Sequence, residues 1–217
     1  MRYSCLVLDH DDTVVDSTAT VNYPGFVGTL EEIRPGYELT LEDFCRYSYD
    51  PGFIGFCTEK LKFNEAEMEL QMQNWLNYVM KHPPKAIPGI KELLWDFVNA
   101  GGVIFVASHS MEANITRDYK LHSFPMPKAI YGWDLPMEKR KPSPWPVLDI
   151  MEKYSIPREQ IAVVDDLSSG KRMAEGAGVN FLAAGWSHTV EDVANAMKKE
   201  SRYYFDTVDS LRRFIFG

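Results

Sequence analysis

Four short apolar runs constrain this chain more than any other feature: residues 3–8, 103–107, 161–164 and 181–184. Each is only a few residues long, and none alternates polar with apolar residues. Runs of this kind suit strands covered on both faces, as in a parallel sheet. Residues 129–131 and 203–205 are two weaker candidates. Between the runs the period changes. Ile90, Leu93, Leu94, Phe97 and Val98 follow a helical repeat that Gly101 ends. Ser143-Pro144 places serine at a cap and proline at a first helical position. Thr189 with Asp192, and Asp206 with Asp209, read as capping-box starts. From residue 87 onward helix and strand alternate, which predicts an α/β fold with a Rossmann-like, doubly wound parallel sheet.

Residues 17–86 break that alternation. Turn signals at Pro24-Gly25, Pro35-Gly36 and Pro51-Gly52 are interleaved with helical patterns, and Pro83-Pro84 closes the segment. Thr40 with Asp43 and Asn64 with Glu67 read as helix starts. After Asn64, the positions Met68, Met72, Trp75, Leu76 and Val79 form one stripe, read as the core of the insert. The expectation is a small α-helical domain, residues 17–86, inserted in a core made of residues 1–16 and 87–217.

Of the 217 residues, 45% are hydrophobic, enough for a sizeable core without a metal or disulfide staple. The formal charge of −8 argues against nucleic acid or an anionic membrane as partner. An acidic protein that handles anions must arrange positive charge locally. Cys5, Cys45 and Cys57 lack CxxC spacing and read as small buried hydrophobes in a reducing, cytoplasmic compartment. Asp9 interrupts the first apolar run, so that run is neither a signal-peptide core nor a membrane span.

In an open α/β sheet, ligands bind beyond the carboxyl ends of the strands. Four strand ends carry polar groups. The first is "DHDDT", with Asp9, Asp11, Asp12 and Thr13, followed by Asp16 and Ser17. An EF-hand loop needs glycine at its sixth position and glutamate at its twelfth, and here those are Val14 and Thr20. The second is Ser108-His109-Ser110 after "GGVIFVA", a hydroxyl at a helix start suited to a phosphate oxygen. The third is Lys141 in "EKRKPSPWP", a point charge for phosphate. The fourth is Asp165-Asp166 in "IAVVDDLSSGKR". Paired acids at the end of a buried strand need a partner, because burying charge is costly.

Together, in this order, these motifs resemble the haloacid dehalogenase-like hydrolase superfamily. Asp9, Asp11 and Thr13 match its DxDxT motif, Ser108 its second motif, Lys141 its third, and Asp165 with Asp166 its fourth. The approach "AIPGIKELLWDFVNAGG" is similar to the phosphoglycolate phosphatase-like branch, in which a helical cap lies between the first and second motifs. Two positions depart from the pattern. Asp12 stands where glycine is common, and Gly170 stands where many relatives have a further acid.

The resemblance implies a Mg2+-dependent phosphatase acting on a small phosphorylated metabolite. It assigns Asp9 as nucleophile and Asp11 as proton shuttle, with Ser108 and Lys141 holding phosphate. Metal ligands would be Asp9, Asp166, the Asp11 carbonyl and, as second ligand or orienting group, Asp165. His109 and Trp186 are further candidates for the pocket, and Arg34, Arg46, Tyr47 and Lys60 are cap candidates for specificity. His10 reads as a backbone position. Competing readings are a phosphomutase and a non-catalytic phospholigand-binding protein. A monomer or homodimer fits equally.

Overall fold

The computed structural model describes residues 1–217. The chain enters through β1 (Cys5–Leu8) and then forms β2 (Val15–Asp16), which pairs antiparallel with β3 (Lys85–Ala86). Between β2 and β3 run α1 (Tyr23–Ile33), α2 (Leu41–Tyr47), the single turn α3 (Phe53–Gly55) and the long α4 (Glu65–Lys81). The rest alternates. It runs through α5 (Ile90–Asn99), β4 (Val103–Ala107), α6 (Glu112–Leu121), β5 (Ile130–Tyr131) and α7 (Trp145–Tyr154). It ends with β6 (Ile161–Asp165), α8 (Ser168–Ala177), β7 (Asn180–Ala184), α9 (Glu191–Glu200), β8 (Tyr204–Phe205) and α10 (Val208–Phe216).

Six strands form one parallel sheet in the order β5-β4-β1-β6-β7-β8. All six predicted strands are in it. Alternate residues feed two apolar layers: Leu6, Leu8, Ile104 and Val106 pack with α5, α6 and α10, while Val7, Phe105, Val163 and Phe181 pack with α7, α8 and α9. Both faces are therefore covered, which is why the strands read as unbroken apolar runs.

The register positions the site. Leu8 lies opposite both Val106 on β4 and Val164 on β6. The next residue, Asp9, donates its backbone N–H to the Val164 carbonyl at 2.8 Å. Asp9, Ser108 and Asp165 thus emerge close together at the carboxyl edge, beside the central strand.

Residues between β2 and β3 have an apolar cluster of their own, with Phe26, Leu30, Phe44, Phe56 and Phe63 at its centre. Asn64 and Glu67 form the expected reciprocal cap of α4, and the Thr40 hydroxyl caps α2 through the Asp43 N–H. Other local readings shift. The cap of α10 is Thr207 with Ser210, one residue beyond Asp206 and Asp209, and α9 starts at Glu191 after Val190 with no side-chain cap. A threonine beside an aspartate offers two equivalent-looking caps, and packing of Val208 selects the second. The α4 stripe divides: Met68 packs on the insert cluster, whereas Trp75 and Val79 line a cleft facing the core. No helix is long and apolar enough to cross a membrane.

Candidate active site

A tight turn follows β1. Asp12 has φ +54°, the left-handed region in which glycine is favoured. Aspartate is tolerated there and adds an anchor that glycine lacks: its Oδ1 accepts from the backbone N–H of Ser17 at 3.1 Å and Thr18 at 2.9 Å. A second anchor comes from beyond β7. Trp186 Nε1–H donates to the Thr13 carbonyl, Ser187 Oγ to the Asp12 carbonyl at 2.6 Å, and His188 Nε2–H to the Asp166 carbonyl at 2.8 Å. This strap ties the two acidic turns to a fifth strand end. Sequence reading had noted Trp186 there as a candidate pocket residue. It missed Ser187 and His188, although polar residues directly after a buried run were the available signal.

Inside the turn, Asp9, Asp165 and Asp166 are buried, and their carboxylate oxygens lie within 4.8 Å of one another. Lys141, 5% exposed, reaches between two of them: Nζ lies 2.8 Å from Asp9 Oδ1 and donates to Asp165 Oδ2 at 2.6 Å. The other Asp165 oxygen accepts from the Leu167 N–H. Asp165 is thereby committed to orienting Lys141. Asp166 Oδ1 is buried without any hydrogen-bond partner. Three carboxylates against one ammonium leave a surplus of negative charge, and an orphaned buried carboxylate oxygen needs a partner. The set suits a small, oxygen-seeking divalent cation.

The electrostatics agree. Burial pushes the Asp9 carboxyl up to about 6; Lys141 opposes this, while Asp165 and Asp11 add to it. Asp166 is raised well above its ordinary value by burial and by Asp165, Asp9 and Asp12. Burial also lifts Asp12 to about 6, against the hydrogen bonds from Thr18 and Ser17. Burial works against the Lys141 ammonium, but Asp165 and Asp9 outweigh it and hold the charge firmly.

The Asp11 carboxylate stands apart from the three-acid cluster. Its two oxygens accept from Ser17 Oγ and Ser110 Oγ, each at 2.6 Å, with Ser108 Oγ at a longer 3.5 Å. Burial pushes its pKa up, but the nearby His10 ring and the Ser110 and Ser17 hydrogen bonds prevail, and the net direction is down. Ser110 was missed by sequence reading, and Ser17 was read as a hinge or cap. Neither carries a signal separable from the helix starts they sit near.

Other candidates have different partners. His109 Nε2–H donates to the Lys141 carbonyl at 2.8 Å, bracing the lysine from behind. Arg34 pairs with Glu67; Arg46 pairs with Glu42, Asp43 and Asp192; Tyr47 stacks on Phe56; Lys60 lies over Tyr47. His10 is more than a backbone position: its buried ring donates to Asp118 at 3.1 Å. Gly170 also has a physical reason. A Cβ there would lie 2.2 Å from the Asp165 carboxyl, so α8 approaches the acid too closely for any side chain.

These motifs are shared. The family model for haloacid dehalogenase-like hydrolases matches residues 6–184. The chain belongs to that family. It is 26% identical over 211 residues, 94% of this chain and 90% of the relative, to PpaX of Caldanaerobacter subterraneus subsp. tengcongensis, which bears a provisional pyrophosphatase name. Among solved structures, a haloacid dehalogenase-like hydrolase from Bacteroides fragilis superposes with a TM-score of 0.80 at 19% identity, covering 96% of this chain and 99% of that one. A protein from Lactobacillus delbrueckii subsp. bulgaricus, provisionally named a phosphoglycolate phosphatase, gives 0.78 at 17% identity with 100% of both chains covered. At these identities the structural likenesses establish the fold.

Two predictions follow from the packing and charge. Gly170→Ala would ordinarily favour a helix by up to about 1 kcal/mol. Here it should lower the Tm by several degrees, because overpacking against Asp165 prevails; a thermal melt showing a rise would contradict the packing. The second concerns pH. A carboxyl raised to about 6 keeps in the folded state a proton that the unfolded chain releases near pH 4. Its favourable contribution is present at low pH and is lost as pH climbs through about 6. A divalent cation replaces those protons, so it should raise the Tm more at about pH 8 than at about pH 5. Equal shifts in scanning fluorimetry at the two pH values would contradict the cluster's role.

Proposed function

We propose that the protein is a Mg2+-dependent phosphatase that hydrolyses a small phosphorylated metabolite through an aspartyl-phosphate on Asp9. The observation that carries this reading is the buried Asp9 carboxylate with Lys141 at 2.8 Å and Asp11 held on a separate side by two hydroxyls. Family membership supports it, since the four motif positions coincide with these residues.

A phosphate monoester resists hydrolysis strongly, and a covalent intermediate divides the difficulty into two steps. In the first, an Asp9 oxygen attacks phosphorus, the bond from phosphorus to the ester oxygen breaks, and Asp11 gives its proton to the departing oxygen. Bound phosphate sets a further negative charge beside Asp11, which favours the protonated form needed for that transfer. In the second, Asp11 takes a proton from water as its oxygen attacks phosphorus. The Asp9–phosphorus bond then breaks and inorganic phosphate leaves. Lys141 and Ser108 hold the non-bridging oxygens. Asp165 keeps Lys141 aimed, and His109 braces its backbone. Mg2+, held by the carboxylates of Asp9 and Asp166 and by the Asp11 carbonyl, would neutralise charge between nucleophile and phosphate.

Residues 17–86 serve in this reading as a cap over a core of residues 1–16 and 87–217. Arg46 reaches Asp192 at 2.8 Å and Arg117 reaches the Val79 carbonyl at 2.7 Å across the seam. Asp9 is only 4% exposed, so the closed cap keeps bulk water from the aspartyl-phosphate. The free cysteines fit a reducing, cytoplasmic setting.

The test is phosphate release from p-nitrophenyl phosphate with and without Mg2+. Asp9→Asn should lower kcat by at least about a thousandfold, and equal rates for wild type and variant would end the proposal. Asp11→Asn should lower kcat/KM by about 10²–10⁴-fold for an alkyl phosphate. The loss should be smaller for p-nitrophenyl phosphate, whose phenolate departs without a proton. An identical loss on both esters would remove Asp11 from the acid role.

A further inference from the structure

We infer that Arg117 and Asn114, on the core helix α6, form an oxyanion pocket that selects a small leaving group carrying its own carboxylate or phosphate. This rests on the phosphatase reading and adds to it the group that sets specificity. Between insert and core lies a cleft of about 260 Å³ that has Asp11 as part of its lining. Asp11 is the residue assigned to protonate the departing oxygen, so the cleft is where the leaving group must sit. Its size confines that group to a few atoms. Asn22 and Trp75 line it from the insert, and Asn114 and Arg117 from the core.

What remains unsatisfied in the cleft decides the chemistry. Both Asp11 oxygens already accept hydroxyl hydrogen bonds from Ser17 and Ser110. Both Asp118 oxygens are taken, one by His10 and one by Arg117. The Asn22 carbonyl oxygen accepts from Trp75 Nε1–H at 3.0 Å. The acceptors are thus spent, and a leaving group rich in donors would find few partners. The donors are not spent. Arg117 Nε is fixed to Asp118 at 2.7 Å and Nη1 to the Val79 carbonyl of α4 at 2.7 Å. Its third nitrogen, Nη2, has no partner in the protein, and the Asn114 amide makes no side-chain hydrogen bond either.

A guanidinium fork oriented by two bonds presents its free edge with little further ordering cost, and it matches the planar geometry of a carboxylate or the face of a phosphate. Asp118 offsets part of the charge, but shares its carboxylate with His10. In a chain of net charge −8, a local cation of this kind is what can retain an anionic leaving group. The Val79 contact also makes the pocket depend on a docked insert, because α4 orients the fork from across the seam. None of Arg34, Arg46 and Lys60, the cationic candidates on the insert, lines this cleft.

Three two-carbon esters separate the possibilities: phosphoglycolate carries a carboxylate, ethylene glycol bisphosphate a second phosphate, and hydroxyethyl phosphate a neutral hydroxyl. In wild type, kcat/KM for one of the anionic esters should exceed that of the neutral ester by about 10- to 100-fold, the worth of one charge-assisted hydrogen bond. Which anionic ester leads tells carboxylate from phosphate. Arg117→Gln and Asn114→Ala should each shrink that ratio, and Arg117→Lys should retain more of it than Arg117→Gln. A ratio near one in wild type overturns the inference. So does an Arg117→Gln variant that loses the same factor on all three esters, since that pattern marks a purely structural role through Val79 and Asp118. Turnover of p-nitrophenyl phosphate without any preference for anionic esters defeats this inference alone. Absence of turnover on every ester defeats the phosphatase reading and this inference with it.

Discussion

Lys141 lies 2.8 Å from Asp9 and 2.6 Å from Asp165, and all three groups are almost wholly buried. The rest of the site depends on this arrangement. Removing one partner of a buried ion pair costs about 3–5 kcal/mol, because the other charge is left without compensation. Here one ammonium serves two carboxylates, and a third, Asp166, is close enough to add its repulsion. The cluster is therefore held by its surroundings. The parallel register places β1, β4 and β6 at one level. The strap after β7 grips the backbone of both acidic turns, and His109 grips the backbone of Lys141. The surplus negative charge is the feature that a divalent cation would answer.

Division of labour between two acids two residues apart follows from local chemistry. Asp9 faces the ammonium, while Asp11 turns toward three hydroxyls and the cleft. Neighbouring residues at the end of a strand point to opposite sides, which puts His10 into the core and leaves Asp9 and Asp11 on the same side of the turn. His10 then has to satisfy its ring in a buried place, and Asp118 meets that need. Through Arg117 the same carboxylate reaches the insert, so the acidic turn and the cap share a continuous set of polar contacts.

The core was legible because its physics is local in sequence. Strands buried on both faces must be continuous apolar runs, and the charged groups that follow them stand out sharply; Asp9, Ser108, Lys141 and Asp165 could all be named this way. Gly170 and Asp12 were legible only as departures. Their reasons, the close approach of α8 to Asp165 and the left-handed turn, needed coordinates. What stayed hidden depends on long-range pairing. Ser110 and Ser17 resemble helix caps until they are seen on the two oxygens of Asp11. Ser187 and His188 act on backbone carbonyls more than twenty residues away or on the far side of the sequence. Arg117 reads as one more exposed helix charge until α4 is laid across it. The stripe on α4 was read as core because periodicity reports a buried face without saying what covers it; Trp75 and Val79 face the cleft.

The central claim is that the acidic turn acts through covalent chemistry on Asp9. The most direct measurement is to quench the wild-type protein during turnover of a phosphate ester with borohydride, which reduces an acyl phosphate to an alcohol, and to map the modified residue by peptide mass spectrometry. The account predicts homoserine at position 9, dependent on substrate and abolished by prior exhaustion of the ester. Sustained phosphate release with an unmodified Asp9, or reduction at Asp11 instead, would contradict it.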